Sequence, residues 1–314
     1  MPQIDLSATT WVAADWGSTN LRLWLMTDDD KVVHKIQGPR GAAQLTGAEF
    51  GTELRALLAP VLTGRDGDPL EVIACGMVGS RQGWAEAAYQ NVPAAPVNAV
   101  RARIVSDDRN ELTVHILPGL QQLSPPDVMR GEETQIGGLL VSDPDFDGIV
   151  CLPGTHSKWA RVSNGQVTSF ATCMTGEMFS LLSEHSVLRH TIDTDSLDLA
   201  SFETAASETL TRPDALLTRL FSVRAAALVS DARPGEAAGR LSGLLIGAEI
   251  GSLRGLWPDL PIAVLGASSL SGLYVRVLQA AGMSVTQIDA EHATVQGLAK
   301  AHRTLRRQMT SAAI

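Results

Sequence analysis

The sequence has few aromatic residues and few cysteines. Aromatic side chains make up 4% of the 314 residues, with six Trp beside six Phe and two Tyr. The three cysteines, Cys75, Cys151 and Cys173, are widely spaced and odd in number. They match neither a disulfide framework nor the paired spacing of a zinc site, and they fit a reducing compartment. We therefore expect a cytoplasmic protein.

Long apolar runs and an excess of positive charge are also missing. No stretch approaches the roughly 18 uninterrupted apolar residues of a membrane helix, and we expect neither a membrane span nor a signal peptide. The formal net charge is −9, whereas nucleic-acid binding requires clustered cations. We expect no nucleic-acid or membrane partner. A small anionic ligand remains compatible with this charge, since a few local Arg and Lys residues suffice to bind one.

The length and an internal repeat indicate two domains. A chain of 314 residues exceeds the usual size of one domain, and 45% hydrophobic residues allow a substantial core. A short apolar strand, a loop containing Gly and hydroxyl residues, a second strand, a turn and a third strand occur in each half. The repeat aligns Gly17 with Gly154, and the second copy has the hairpin turn Asn164-Gly165. We predict an N-terminal domain over residues 1–130 and a C-terminal domain over residues 131–314, with the last helix able to pack on the first.

The two repeated loops have the residues that phosphate binding requires. Gly lets backbone N–H groups approach an anion, and hydroxyl groups add donors. Asp15 ends the first strand, where it could hold a magnesium ion through water. An isolated loop of this kind could equally be an ordinary turn, but the second copy favours two domains that hold one nucleotide. The predicted phosphate-binding residues are Gly17, Ser18, Thr19 and Asn20 in the first loop and Gly154, Thr155, His156 and Lys158 in the second.

A third segment of small residues follows the apolar strand at residues 262–265. Gly266, Ser268 and Ser269 could let a flat adenine approach the backbone, so we predict an adenosine site there. The alternative is a structural strand-to-helix turn. The Gly-x-x-x-x-Gly-Lys motif of P-loop proteins and the Gly-x-Gly-x-x-Gly motif of Rossmann dinucleotide-binding domains are absent from the sequence. The sequence therefore gives no support for either of these nucleotide-binding classes.

Six motifs together resemble the 2-dehydro-3-deoxygalactonokinase family. They are residues 15–22, 76–84, 129–135, 152–159, 174–177 and 245–249. The resemblance implies an α/β fold of two actin-like, ribonuclease H-like domains with a nucleotide cleft between them. It also implies ATP and Mg²⁺, and transfer of the γ-phosphate to the 6-hydroxyl of 2-dehydro-3-deoxy-D-galactonate in galactonate catabolism. The alternatives are a kinase for another acid sugar and a non-catalytic ATP-binding switch. A homodimer remains open.

The resemblance and the chemistry of phosphoryl transfer also suggest site residues. A base must accept the hydroxyl proton, and we place it in Gly131-Glu132-Glu133, at a predicted helix start. Related sugar kinases have Asp there, and the alignment favours Glu133 over Glu132 by one position only. Both glutamates could instead complement the helix N-terminus.

The substrate carboxylate requires a cation. Arg81 is the preferred candidate because a guanidinium pairs with a carboxylate through two hydrogen bonds. Gln82 and Trp84 lie beside it in the sequence, and Arg22 and Arg130 are weaker candidates. Trp84 could form an apolar wall for the substrate, although a lone Trp more often packs in a core.

Overall fold

The structure is a computed structural model that describes residues 6–65, 67–230, 232–256, 259–266 and 268–312. The chain forms two compact units. Within the described residues, unit 1 runs to Phe146 and also includes Ser163–Ser169 and the chain from Ala290 onward, whereas unit 2 comprises Asp147–Val162 and Phe170–Asp289. The domain boundary expected at residue 130 stays a prediction.

Unit 1 is built on a six-stranded sheet. Its elements up to the second helix are β1 (Trp11–Trp16), β2 (Leu21–Met26), β3 (Val32–Gly38), α1 (Glu49–Leu62), β4 (Leu70–Gly76), β5 (Gln90–Asn91), β6 (Arg103–Ser106), β7 (Leu112–Ile116), β8 (Leu120–Leu123), β9 (Pro126–Met129) and α2 (Glu132–Ser142). The sheet order is β3-β2-β1-β4-β7-β6, and β5, β8 and β9 form a small separate sheet. Strand β1 runs antiparallel to β2 and parallel to β4.

Unit 2 repeats this arrangement. The elements of the second half are β10 (Gly148–Leu152), β11 (Ser157–Ser163), β12 (Gln166–Cys173), α3 (Thr175–His185), α4 (Leu199–Thr211), α5 (Leu216–Val229), α6 (Pro234–Leu253), β13 (Ile262–Gly266), α7 (Ser268–Ala280), β14 (Val285–Asp289) and α8 (Ala290–Ala312). All belong to unit 2 except α8 and the segment Ser163–Ser169, which includes the end of β11 and the start of β12. The sheet order is β12-β11-β10-β13-β14. Both sheets therefore share the order third, second, first, fourth, and in each the fourth strand pairs in parallel with one further strand, β7 or β14. This shared order confirms the internal repeat and the α/β fold class.

Alternation along β1 accounts for the two apolar layers of unit 1. Val12, Ala14 and Trp16 lie in one core with Phe50, Leu54 and Leu58 of α1. Trp11 and Ala13 lie in a second core with Leu298 and other residues of α8. Successive side chains of a strand point to opposite faces, so helices on both faces of the sheet bury all the apolar side chains of β1. The result is a central strand, paired on both edges, that ends at Asp15 and Trp16.

A stripe of glycines allows α6 to approach α4 closely in unit 2. Every fourth residue of this stretch of α6 is a glycine that faces the backbone of α4, namely Gly239, Gly243, Gly247 and Gly251. A Cβ atom at Gly243 would lie 2.2 Å from the carbonyl oxygen of Phe202. The two helices can therefore pack at this distance only with glycine in the stripe.

Candidate active site

The first predicted phosphate loop is a tight turn between β1 and β2. The Gly17 N–H donates to the Asn20 carbonyl oxygen at 2.9 Å. The backbone N–H of Ala42 donates to the Gly17 carbonyl oxygen at 2.9 Å and holds the loop from outside. Ser18, Thr19 and Asn20 are exposed. The loop thus presents hydroxyl and amide groups to solvent on a fixed backbone, which is compatible with phosphate binding.

Asp15 lies at the end of β1 and has two polar partners. It pairs in register with Arg22 of β2, and the two side chains form a salt bridge. The Cys75 thiol lies 3.8 Å from Asp15 Oδ1. Arg22, a candidate substrate cation, is therefore paired with the carboxylate that we predict to handle the metal. Among the residues that the structure describes, no group of three or more His, Cys, Asp and Glu side chains could hold a metal ion.

Two glycines bring the start of α2 to the ends of β1 and β4. Gly76 ends β4 with a φ of +90°, and Gly131 precedes α2 with a φ of +108°. A Cβ atom at Gly131 would lie 3.3 Å from the Gly76 Cα, and one at Gly76 would lie 3.3 Å from Asp15 Oδ1. Only glycine combines this backbone conformation with so close an approach. Asp15 and the Glu132-Glu133 pair consequently share one region of unit 1.

Glu133 is almost completely buried, with 1% of its surface exposed. Its Oε2 accepts the Gly131 N–H at 2.7 Å, and its Oε1 accepts the Thr134 hydroxyl at 3.2 Å. Burial, and then the charge of Glu132, raise the pKa of Glu133 to about 8. Burial, and then the charges of Asp15 and Glu133, also raise the pKa of the neighbouring Cys75 thiol.

Glu132 is half-buried, and its Oε2 accepts the Arg130 N–H at 3.0 Å. Both glutamates therefore bond backbone N–H groups at the start of α2, as the helix-terminus alternative expects. That alternative leaves the burial of Glu133 without an explanation, because a carboxylate can cap a helix while it remains in water.

The segment after β4 carries the predicted substrate residues. The Arg81 side chain is 81% exposed and lies 3.5 Å from a Glu86 carboxylate oxygen. Gln82 is also exposed. Trp84, in contrast, is half-buried, stacks on Phe50 with ring centroids 6.2 Å apart and packs against the core that contains Val12, Ala14 and Trp16 of β1. These contacts favour core packing for Trp84, and Arg81 and Gln82 remain the accessible candidates.

Arg130, the other weaker cation candidate, is buried. Its guanidinium lies 4.2 Å from the Tyr89 ring centroid. Its Nη2 donates to the Ala87 carbonyl oxygen at 2.8 Å, whereas its buried Nη1 has no hydrogen-bond partner. Arg130 thereby ties the segment that carries Arg81 to the residues immediately before α2.

The second predicted phosphate loop joins β10 to β11 in unit 2. Its backbone packs on the start of α3, where the Glu177 N–H donates to the Thr155 carbonyl oxygen at 3.0 Å. The side chains of His156 and Glu177 lie 2.6 Å apart. Thr155 and His156 are exposed, whereas Lys158 is buried with 6% of its surface exposed. The structure thus gives this loop exposed hydroxyl and imidazole groups.

An apolar pocket of about 590 Å³ lies in unit 2 beside this loop. Its polar lining is sparse, and its residues are Gly154, Thr175, Gly176, Phe179, Thr194, Leu197, Leu199, Ser242, Leu245, Ile246, Ser269, Leu270, Leu273 and Tyr274. Ser269 of the predicted adenosine segment and Gly154 of the second loop both line it. Gly266 ends β13. Ser268 begins α7, and its side chain lies outside the described residues.

Comparison with known proteins identifies the family. The profile of the 2-keto-3-deoxy-galactonokinase family matches residues 15–301. The chain is 38% identical over 307 residues to the probable 2-dehydro-3-deoxygalactonokinase DgoK1 of Rhizobium meliloti (strain 1021), covering 95% of this chain and 98% of that protein. It is 34% identical to the 2-dehydro-3-deoxygalactonokinase of Escherichia coli (strain K12), covering 92% and 96%.

A solved structure agrees with this result. A Sinorhizobium meliloti protein assigned as a 2-dehydro-3-deoxygalactonokinase superposes with a TM-score of 0.84 at 36% identity, covering 94% of this chain and 99% of that one. The fold places the chain in the actin-like α/β class, as predicted. The chain belongs to the 2-keto-3-deoxy-galactonokinase family. Among the described residues, no helix is long and apolar enough to cross a membrane.

Proposed function

We propose that this chain transfers the γ-phosphoryl group of ATP to the 6-hydroxyl of 2-dehydro-3-deoxy-D-galactonate in galactonate catabolism. Family membership and the names of the two curated relatives support the reaction. The observation that carries the proposal within the structure is the buried carboxyl of Glu133 in the region of Asp15. Phosphoryl transfer to an alcohol requires a proton acceptor and charge neutralisation at one place.

Glu133 acts as the general base in this proposal. A catalytic base works best when its pKa lies near the operating pH, and a pKa of about 8 meets this condition. The ionised Glu133 carboxylate accepts the proton of the 6-hydroxyl, and the hydroxyl oxygen forms a bond to the γ-phosphorus. The bond between that phosphorus and the β–γ bridging oxygen breaks, and ADP leaves with the bridging oxygen. Glu132, which is half-buried, instead retains its bond to the Arg130 N–H.

Asp15 holds Mg²⁺ through water in this proposal. Carboxylate oxygens are the ligands that this ion prefers, and Mg²⁺ usually keeps several waters when it binds with a nucleotide. Binding through water requires no cluster of protein ligands, and the described residues contain no group of three or more His, Cys, Asp and Glu side chains that could hold a metal ion. The ion would neutralise charge on the transferred phosphate. A bound Mg²⁺ ion would compete with the Arg22 guanidinium for the Asp15 carboxylate.

ATP contacts are proposed for three segments. The exposed groups at Ser18, Thr19 and Asn20 bind phosphate, as do Gly17 and the second loop with Gly154, Thr155, His156 and Lys158. The apolar pocket in unit 2 receives adenosine, supported by its volume and by Ser269 in its lining. Ligand sites are typically apolar with a few polar groups that set orientation. Gly266 and Ser268 stay in the proposal as neighbours of that pocket.

Arg81 is the proposed partner of the substrate carboxylate, with Gln82 beside it. Its guanidinium is largely exposed, and its ion pair with Glu86 is a surface contact, which contributes little to stability. Arg81 can therefore exchange this partner for a substrate at small cost. Arg22 is the weaker candidate because its guanidinium already forms a salt bridge with Asp15. We also propose a cytoplasmic location, with no nucleic-acid partner, and leave a homodimer as an expectation.

A steady-state assay with coupled detection of ADP tests the function. The purified chain is supplied with ATP and either the galacto or the gluco epimer of the 2-keto-3-deoxy acid, with and without magnesium. We expect ADP release that depends on both the keto acid and magnesium. Release with a different acid sugar would correct the substrate. ATP binding without acceptor-stimulated ADP release would indicate a switch and would reject the kinase proposal.

A further inference from the structure

Glu249 is a buried carboxylate of unit 2 that the proposed function does not use. It lies on α6 with 6% of its surface exposed. Its Oε1 accepts the Ser157 hydroxyl at 2.7 Å and the Trp159 indole N–H at 2.6 Å, and its Oε2 accepts the Tyr274 hydroxyl at 2.7 Å. A single side chain therefore binds one strand, β11, and one helix, α7.

The contacts to β11 fix the orientation of that strand. Ser157 and Trp159 are two residues apart, so their side chains share the face that meets Glu249. Lys158 lies between them and belongs to the opposite face. A shift of one residue along the strand would exchange the two faces. Glu249 thus sets the direction of the strand end that carries the second phosphate loop.

The contact to α7 reaches the apolar pocket. Tyr274 lines that pocket, and its hydroxyl is the third donor to Glu249. Burial and then the Glu249 charge raise the pKa of Tyr274, which keeps the hydroxyl protonated as a donor. The phosphate loop and the pocket wall therefore share one anchor. Hydrogen bonds to a charged acceptor are short and strong, and buried donors that lose such an acceptor are costly.

We propose that Glu249 is a positioning residue that holds the second phosphate loop and the Tyr274 wall in the geometry that binds the nucleotide. The inference rests on the proposed function, since it assumes that these two segments contact ATP. It assigns Glu249 no contact with the nucleotide itself. A role limited to fold stability would lower the melting temperature without a selective effect on nucleotide binding.

The test compares Glu249→Gln with the wild-type chain. Glutamine keeps one acceptor oxygen and replaces the other with an NH₂ group, so at least one of the three donors loses its partner. We expect the KM for ATP and the calorimetric Kd for ADP to rise at least about tenfold, because a charge-assisted bond is lost. The KM for the keto acid should stay within about twofold of wild type.

Glu203→Gln is the matched control, because Glu203 is an exposed carboxylate of the same unit, paired with Arg276. We expect it to change none of these constants. If Glu249→Gln does not fold, Ser157→Ala and Tyr274→Phe each remove one donor and leave the carboxylate in place. Each should still raise the Kd for ADP.

Nucleotide constants equal to wild type in the soluble variants, with only a lower melting temperature, would overturn the positioning role. A wild-type chain that binds ADP but phosphorylates no keto acid would overturn the proposed function alone. In that case the ADP measurements still decide the role of Glu249. A wild-type chain that does not bind ADP would overturn both.

Discussion

Replacing Glu133 with glutamine should slow turnover and stabilise the protein at the same time. Glutamine is close to glutamate in shape and neutral at every pH, and its amide oxygen can still accept the Gly131 N–H. It cannot accept the proton of a substrate hydroxyl. General-base catalysis contributes typically about 10²–10⁴-fold, so we expect kcat to fall at least about a hundredfold with little change in ATP affinity.

The stability effect follows from the raised pKa. Burial raises the pKa of Glu133 from 4.5 to about 8, so the folded chain binds this proton more tightly than the unfolded chain. The favourable contribution is present below pH 4.5 and is lost as the pH rises toward 8. A shift of this size corresponds to roughly 5 kcal/mol. Because the glutamine side chain does not ionise, Glu133→Gln should have the larger free energy of unfolding at pH 8 and above.

The pH dependence of activity has the opposite sign. Only the ionised carboxylate can accept a proton, and near pH 7 roughly a tenth of Glu133 is ionised when its pKa is about 8. The kcat of the wild-type chain should therefore rise about tenfold per pH unit below 8 and level off above it. Activity increases over the range in which this residue destabilises the fold.

Two measurements check the reasoning. Urea unfolding of wild type and Glu133→Gln between pH 5 and 9 gives the difference in stability, and the coupled ADP assay gives kcat over the same range. Glu203→Gln is the surface control and should change stability by less than about 0.5 kcal/mol. Near-normal turnover of Glu133→Gln would remove Glu133 from the base role. A stability difference that does not grow with pH would contradict the buried, protonated carboxyl.

Three further variants probe the rest of the structure. Arg81→Lys should raise the KM for the keto acid about tenfold and leave the KM for ATP unchanged, since lysine lacks the planar pair of donors; equal effects would count against a carboxylate role. Asp15→Asn should raise the magnesium concentration for half-maximal activity about tenfold, and an unchanged titration would reject the metal role. Gly243→Ala should lower the free energy of unfolding by about 1–3 kcal/mol in urea, because its Cβ would meet the Phe202 carbonyl oxygen at 2.2 Å. Gly255→Ala, which meets no atom within 4 Å, should have little effect, and equal losses would contradict the packing argument.

Short sequence signals were sufficient to predict the repeated hairpins. Asn164 and Gly165 have φ values of +50° and +71°, which are favoured in tight hairpin turns, and asparagine followed by glycine is a strong signal for them. The predicted helix start at Glu132-Glu133 is also confirmed, since α2 begins at Glu132. Each of these features depends on residues close together in the chain, so a single sequence contains the information.

Contacts between distant residues could not be predicted in this way. Glu249 is separated from Ser157 by 92 positions and from Tyr274 by 25. The resemblance includes residues 245–249, but nothing in that motif indicates which strand its carboxylate meets. The contact between Arg130 and Ala87 spans 43 positions and was missed for the same reason. Such contacts depend on how the sheets and helices pack, and the packing is decided by the whole chain.

The choice between two adjacent glutamates shows what the structure adds to a motif. Glu132 and Glu133 have the same chemistry, and the sequence separates them by one position of alignment only. Their surroundings differ, since Glu133 has 1% of its surface exposed whereas Glu132 is half-buried. Burial penalises the charged form and raises the pKa toward the range of a useful base. A carboxylate that only capped a helix would not need to be buried, because it could accept the backbone N–H groups while in contact with water. The base role proposed for Glu133 would explain this energetic penalty, and the stability of Glu133→Gln measures the penalty.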